Sequence, residues 1–341
     1  MTAVDDKRHG SDDERVAIRA LVPGVADEDL PFGGRRRVGD RLMRELGGGA
    51  RAAAPARRWF RRPAGLVVGA AACAVALGVA ASLLVSGGGG RVAPVTPPEP
   101  AAVRLLDRVA VAAQRAPEPV VRDGQFLYTR TEGFAAVLSE VSEDGRMESS
   151  RSDQSLERWE SVDGSARTLE RYPGGGQDTF DAGKGTLVDP TYRFLESLPT
   201  DPEHLLQMFY EDAELNHGAG TDSTLGADQG TFVAIGDLLN GVECPPRVSA
   251  ALYRAAARIP GVVLVPEATD ALGRKGVAVA REHDGERTEW IFDRESLRLL
   301  GYRTVVLKDG DWGKAGEAVE SKAIIARGVS DRAGEVPRKR S

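Results

Sequence analysis

The sequence predicts an α+β protein in which helices cover one face of a curved antiparallel β-sheet, preceded by a single transmembrane helix and a mostly disordered cytoplasmic tail. Three observations lead there. Asp-Gly pairs recur at 123–124, 144–145, 163–164, 284–285 and 309–310, several of them between short strand-like runs; the pair tolerates positive φ and suits two-residue hairpin turns. Helical patterns interrupt these runs in the middle of the chain. An uncharged, apolar stretch at 64–85 follows a block of arginines.

The strand runs come first. AAVLSEVSE and RMESSR flank Asp144-Gly145, LERWESV and SARTLERY flank Asp163-Gly164, and GVAVAREH and ERTEWIFD flank Asp284-Gly285. WIFDRESLRLLGYRTVVL adds a hairpin around Arg294 to Ser296, so the domain reads as an antiparallel meander. The helices are equally marked. AAVRLLDRVAVAAQ at 101–114 repeats Ala102, Leu105, Leu106, Val109 and Ala113 at helical spacing. LPTDPEHLLQMFYEDAEL places Asp201 as N-cap and Pro202 at the first helical position, with Leu205, Leu206, Phe209 and Ala213 facing inward. TFVAIGDLLN and PPRVSAALYRAAARI follow, the latter aligning Val248, Ala251, Leu252, Ala255 and Ile259. Strands, then helices, then strands give the α+β arrangement.

Residues 64–85 are 22 positions without a charge, about 33 Å of helix and close to the hydrocarbon thickness of a bilayer. Arg57, Arg58, Arg61 and Arg62 crowd one end, Trp59 and Phe60 stand at the interface, and Ser86 with a glycine run leaves the other end. By the positive-inside rule residues 1–62 are cytoplasmic and the rest extracytoplasmic. About sixty residues precede the run, which argues against a cleaved signal peptide. Residues 1–63 hold 14 Lys/Arg against 10 Asp/Glu, whereas residues 91–341 hold 31 against 41, so a basic front precedes an acidic domain. Within the tail, RRRVGDRLMREL at 35–46 forms an amphipathic helix with Val38, Leu42, Met43 and Leu46 on one side, a surface for a cytoplasmic partner. Residues 86–100 are a Gly/Pro linker, 101–330 the folded domain, and 331–341 a disordered tail.

No motif names a reaction. His9, His204, His217 and His283 form no metal-ligand spacing, and the two cysteines, Cys73 and Cys244, support neither a disulfide nor a zinc site. AGKGT at 182–186 lacks the leading glycine of a phosphate loop, and DGSAR at 163–167 lacks the last glycine of a nucleophile elbow. An enzyme is not expected, nor a cofactor, a metal or direct nucleic-acid binding. The aromatics are more informative. Phe126, Tyr128, Trp159, Trp290, Phe292 and Tyr302 fall on strands, and alternation puts Phe126 with Tyr128, and Trp290 with Phe292, on common faces. They read as core, or as the lining of an apolar ligand groove if the helices leave the concave face open.

The order of features, an arginine-flanked anchor, a Pro-rich linker, GQFLYTRTEG, ERWESVDGSARTLER, LPTDPEHLLQMF, ARIPGV and TEWIFDRESLRLLGYR, resembles an uncharacterised actinobacterial family of single-pass membrane proteins often encoded beside extracytoplasmic-function sigma factors. The outer part is similar in outline to the LolA-like half-barrel of lipoprotein carriers and envelope-stress sensors. The resemblance implies a non-enzymatic membrane protein whose outer domain senses or binds an envelope ligand, lipid or protein, and whose tail contacts a sigma factor or other regulator. A tethered lipid carrier is the second expectation and an unrecognised hydrolase the third.

Overall fold

The computed structural model describes residues 96–140, 147–217 and 224–337. The tail with its 35–46 helix (Val38, Leu42, Met43, Leu46), the interfacial Arg57, Arg58, Trp59, Phe60, Arg61 and Arg62, and the 64–85 run lie outside these residues. Among the described residues no helix is long and apolar enough to cross a membrane.

Helix α1 (Pro100–Gln114) opens the domain, with Pro100 at its first position. Five strands follow: β1 (Phe126–Glu140), β2 (Met147–Asp153), β3 (Leu156–Ser161), β4 (Thr168–Arg171) and β5 (Gln177–Phe180). Next come the helices α2 (Tyr192–Ser197), α3 (Pro202–His217), α4 (Gly226–Gly241) and α5 (Pro246–Ala256). The meander β6 (Val262–Thr269), β7 (Lys275–His283), β8 (Glu286–Phe292) and β9 (Leu299–Val306) leads to β10 (Ala318–Ser330). All ten strands join one antiparallel sheet in the order β5-β4-β3-β1-β10-β9-β8-β7-β6, and β2 extends the β3 edge along the far half of β1. Register shifts at Arg130/Thr131, Val265/Ala268, Ile291/Phe292 and Ala318/Glu320 bend the strands and curve the sheet.

The expected turns form by two different routes. Asp284 and Gly285 both adopt positive φ, 48° and 81°, and close the tight β7–β8 hairpin with His283 opposite Glu286. At Asp163-Gly164 the expected two-residue turn is replaced by a six-residue connection, 162–167. The reason is local: the Asp163 carboxylate accepts bonds from the Ser161 hydroxyl, the Ser165 amide and the Ser165 hydroxyl at 3.0, 3.1 and 2.7 Å. That Asx-type turn competes with a tight hairpin, and its hydrogen bonds, chiefly from the Ser165 hydroxyl, hold the carboxyl down at about 2. Helix α2 and strands β5, β6 and β10 are additions to what the sequence pattern shows.

The helices lie on one face of the sheet. The predicted inward set on α5 is buried, Val248, Ala251, Leu252 and Ala255 together with Ile259 just beyond it. The Asp201 carboxylate caps α3 by accepting from the His204 amide at 2.8 Å. At the centre of this core Trp290 stacks on Phe232 of α4, ring centroids 4.1 Å apart and 6° from parallel, while Tyr253 of α5 meets Phe292 edge-on at 5.6 Å. Gly236 makes the stack possible, because a Cβ there would fall inside the surface of the Trp290 indole.

Two measurements check this core. Gly236→Ala is expected to lower stability by about 1–3 kcal/mol, the range for overpacking a rigid site, in urea unfolding followed by circular dichroism; an unchanged midpoint would contradict the packing. The Cys244 thiol is pushed up to about 12 by burial, so it stays protonated at pH 8. In a Cys73→Ala background it is expected to resist iodoacetamide until the domain is unfolded.

Candidate functional site

The six aromatics predicted from the sequence separate into two groups. Residues paired across an antiparallel ladder share a face, and Trp290, Tyr302 and Lys322 lie in one such row on the helix-covered side. Trp290 and Phe292 are fully buried beneath α4 and α5. Tyr302 donates to Glu320 at 2.5 Å and carries the Lys322 ammonium 5.7 Å above its ring. Phe126, Tyr128 and Trp159 form a separate cluster on the opposite, outer face. There Tyr128 and Trp159 sit 5.2 Å apart, Arg171 stacks over the indole at 4.7 Å, and the Tyr128 hydroxyl donates to Glu157 at 2.6 Å. The pairings Phe126 with Tyr128 and Trp290 with Phe292 hold, but the six do not line one groove. Over β8 the concave face is filled by helix side chains.

The helix-covered side has a polar half as well. Across β10, β1, β3, β4 and β5 runs the row Arg327, Thr129, Arg158, Glu170 and Asp178. Arg158 pairs with Glu170 and with Glu160, and Glu170 also accepts from the Tyr172 hydroxyl at 2.8 Å. Arg327 donates to the Leu239 and Asn240 carbonyls at 2.7 and 3.0 Å, closing the last turn of α4. Arg158, Glu160 and Glu170 pair with one another on the sheet, and Arg327 ties α4 to it.

An open groove remains elsewhere, between α1 and the β6–β7 end of the sheet, about 450 Å³ in volume and lined by Ala101, Leu105, Leu264, Val277 and Leu297. That size falls in the roughly 300–1,000 Å³ range of small-molecule sites. Three arginines edge it: Arg104 and Arg108, one helical turn apart on α1, and Arg294 from the β8–β9 turn. Arg294 is held by the Pro266 carbonyl at 2.5 Å. The turn is built on Asp293, whose side chain accepts from the Ser296 amide and hydroxyl at 2.8 and 2.6 Å, and whose carbonyl accepts from the Leu297 amide at 3.0 Å. Those Ser296 bonds hold the Asp293 carboxyl below the usual carboxylate range. Leu297 itself sits at φ 57°, a left-handed conformation that costs a leucine about 1–2 kcal/mol. The strain turns an apolar side chain toward the groove where glycine or asparagine would be the unstrained choice.

The chain also enters the domain here. The Thr96 carbonyl accepts from the Gly261 amide at 2.8 Å, the Glu99 amide donates to Val262 at 2.8 Å, and the Glu99 carboxylate accepts from the Leu264 amide at 2.7 Å. The end of the predicted linker is therefore hydrogen-bonded along edge strand β6, beside the groove. Sequence reasoning passed over this site because its residues come from four separate segments; Leu297 in a turn was the signal within reach.

The other motifs play local parts. In the 182–186 loop the Gly185 and Thr186 amides bond the Asp189 carbonyl and the Lys184 amide bonds its side chain, so these donors are not turned to a phosphate. His283 bonds the Thr224 carbonyl at 2.7 Å and His204 lies exposed in the first turn of α3. Among the described residues no group of three His, Cys, Asp or Glu is placed to hold a metal ion.

No family model matches the chain, and no curated protein matches it. Among solved structures it is similar to MucB, known from a crystal structure, at 15% identity over 71% of this chain and 62% of that one, with a TM-score of 0.21. The match spans less than two thirds of MucB, and a superposition this loose leaves the functional argument to the geometry above.

Leu297→Gly is expected to change stability by less than about 1 kcal/mol in urea unfolding, because relief of the left-handed strain offsets the lost apolar burial. A loss of more than about 2 kcal/mol would show that the leucine serves packing alone.

Proposed function

We propose that this chain is a membrane-anchored, non-enzymatic regulatory protein whose outer domain binds an anionic amphiphile of the envelope in the α1/β6–β7 groove. In this reading residues 64–85 form the anchor, residues 1–62 lie in the cytoplasm and contact a sigma factor or another regulator through Val38, Leu42, Met43 and Leu46, and residues 96–337 lie outside. The observation that carries it is the groove: an apolar floor edged by Arg104 and Arg108 of α1 and by Arg294 of the β8–β9 turn suits a hydrocarbon chain bearing a phosphate or carboxylate head. Its position supports a signalling role, since Ala101 lines the groove two residues beyond Glu99, which fastens the incoming chain to β6.

The filled core over β8 favours a sensor above a bulk lipid carrier. Trp290, Phe292, Phe232 and Ile235 are all buried to within 1% exposure, which leaves the open groove as the apolar space on this side for one chain.

A fluorescent fatty acid titrated into the full-length protein is expected to bind saturably, and Arg104→Glu with Arg108→Glu to weaken it about tenfold, the effect of about 1.4 kcal/mol. Binding insensitive to those charges, or none, would remove the ligand half of the proposal. Protease added to cells stripped of their wall is expected to cut the outer domain, and its protection would remove the topology. Co-purification of residues 1–62 with a sigma factor tests the cytoplasmic half; no binding at micromolar concentration would sink it.

A further inference from the structure

The outer face of the sheet holds a second feature, independent of the groove. Residues 331–337, assigned by sequence to a disordered tail, fold back across β10, β1 and β3 and lie against the Phe126, Tyr128 and Trp159 cluster. The Trp159 indole N–H donates to the Glu335 carbonyl at 2.8 Å. Pro337 packs on Gly328, which pairs directly with Tyr128, and a Cβ at Gly328 would lie 3.0 Å from two ring atoms of that proline. Gly334 borders Leu169. The start of the segment is fixed by Asp331, which accepts from the Gln125 amide at 2.6 Å and from Arg122 at 3.2 Å.

This is the chemistry by which aromatic sites take extended, proline-containing peptides: an indole N–H aimed at a backbone carbonyl, a ring-sized seat for proline and a polar anchor at one end. Phe126, Tyr128 and Trp159 also pack with Leu169 of β4 and Ala166 of the β3–β4 connection, while Val336 of the tail is half exposed. A cavity of about 310 Å³ remains between the tail and Val120, Arg122, Gln125 and Val329. Segment 331–337 is held by the bonds at Asp331, the Trp159 indole bond and the Pro337 seat, a short set of contacts of the kind that opens locally.

We propose that the Phe126–Tyr128–Trp159 face is a peptide-binding site, occupied in cis by the chain's own segment 331–337, and that it takes a partner's peptide of the same chemistry once that segment is displaced. Such a peptide brings an acidic side chain to Arg122 and Gln125, a carbonyl to Trp159 and a proline ring to Gly328. The cis segment then acts as an intramolecular competitor.

The test is the chain shortened to end at Ser330, titrated with a fluorescein-labelled peptide of residues 331–341 and read by fluorescence anisotropy. Saturable binding at least tenfold tighter than to the intact chain is expected, and Trp159→Phe in the shortened chain weakens it about fivefold, the equivalent of one hydrogen bond. A shortened chain that keeps its circular dichroism yet binds no better than the intact one overturns the proposal. Should the shortened chain fail to fold, Asp331→Ala in the intact chain, which frees the first anchor, is used with the same peptide. Tighter binding than to the parent supports the site, and equal binding overturns it.

Discussion

The antiparallel pairing of β1 with β10 is the contact on which the rest of the domain depends. It joins Phe126–Ala135 to Glu320–Ser330, so the first strand of the sheet is closed by the last. Without it the sheet would be two separate sets of hairpins, β1–β5 and β6–β10, and the helices between them would have no shared surface to cover. Loop-closure entropy makes so long a connection costly to form. The chain offsets that cost with a long ladder, and with Arg327 of β10 reaching the last carbonyls of α4.

The junction also sets the character of the two halves. On the β6–β9 side the helix-facing row is apolar and receives α4 and α5, with Trp290 and Phe292 under Phe232 and Tyr253. On the β3–β5 side the same face carries Arg158, Glu160 and Glu170, which pair among themselves. The helices therefore cover one half closely. The groove lies at the far end of that covered half, where α1 rather than α4 borders the sheet and where the incoming chain is stitched to β6.

The outer face would normally be the solvated side of such a sheet. Here an aromatic cluster on it is covered by the end of the chain itself, held through Asp331 and the Trp159 indole. Two apolar regions thus lie on opposite faces, one beside residues 96–99 and one beneath residues 331–337.

Much of this was legible in residue order. Helical spacing in α1, α3 and α5, the Asp201-Pro202 helix start and the Asp284-Gly285 hairpin are local features, fixed by i,i+4 burial, capping and positive φ within a few residues. Alternation likewise assigned Phe126 with Tyr128, and Trp290 with Phe292, to common faces. The separation of those two pairs onto opposite sides could not be read, because it depends on the parity of the β1–β10 ladder and on its bulge at Arg130/Thr131. The groove was hidden for a related reason: its floor and rim come from α1, β6, β7 and one turn, which only the closed sheet brings together. The sequence by itself determined the elements and their buried faces, since those follow from short-range periodicity. Which faces meet, which aromatic pair is covered by helices and which by the chain's own end, was decided by the tertiary structure, because strand order and register are long-range choices that no local pattern encodes.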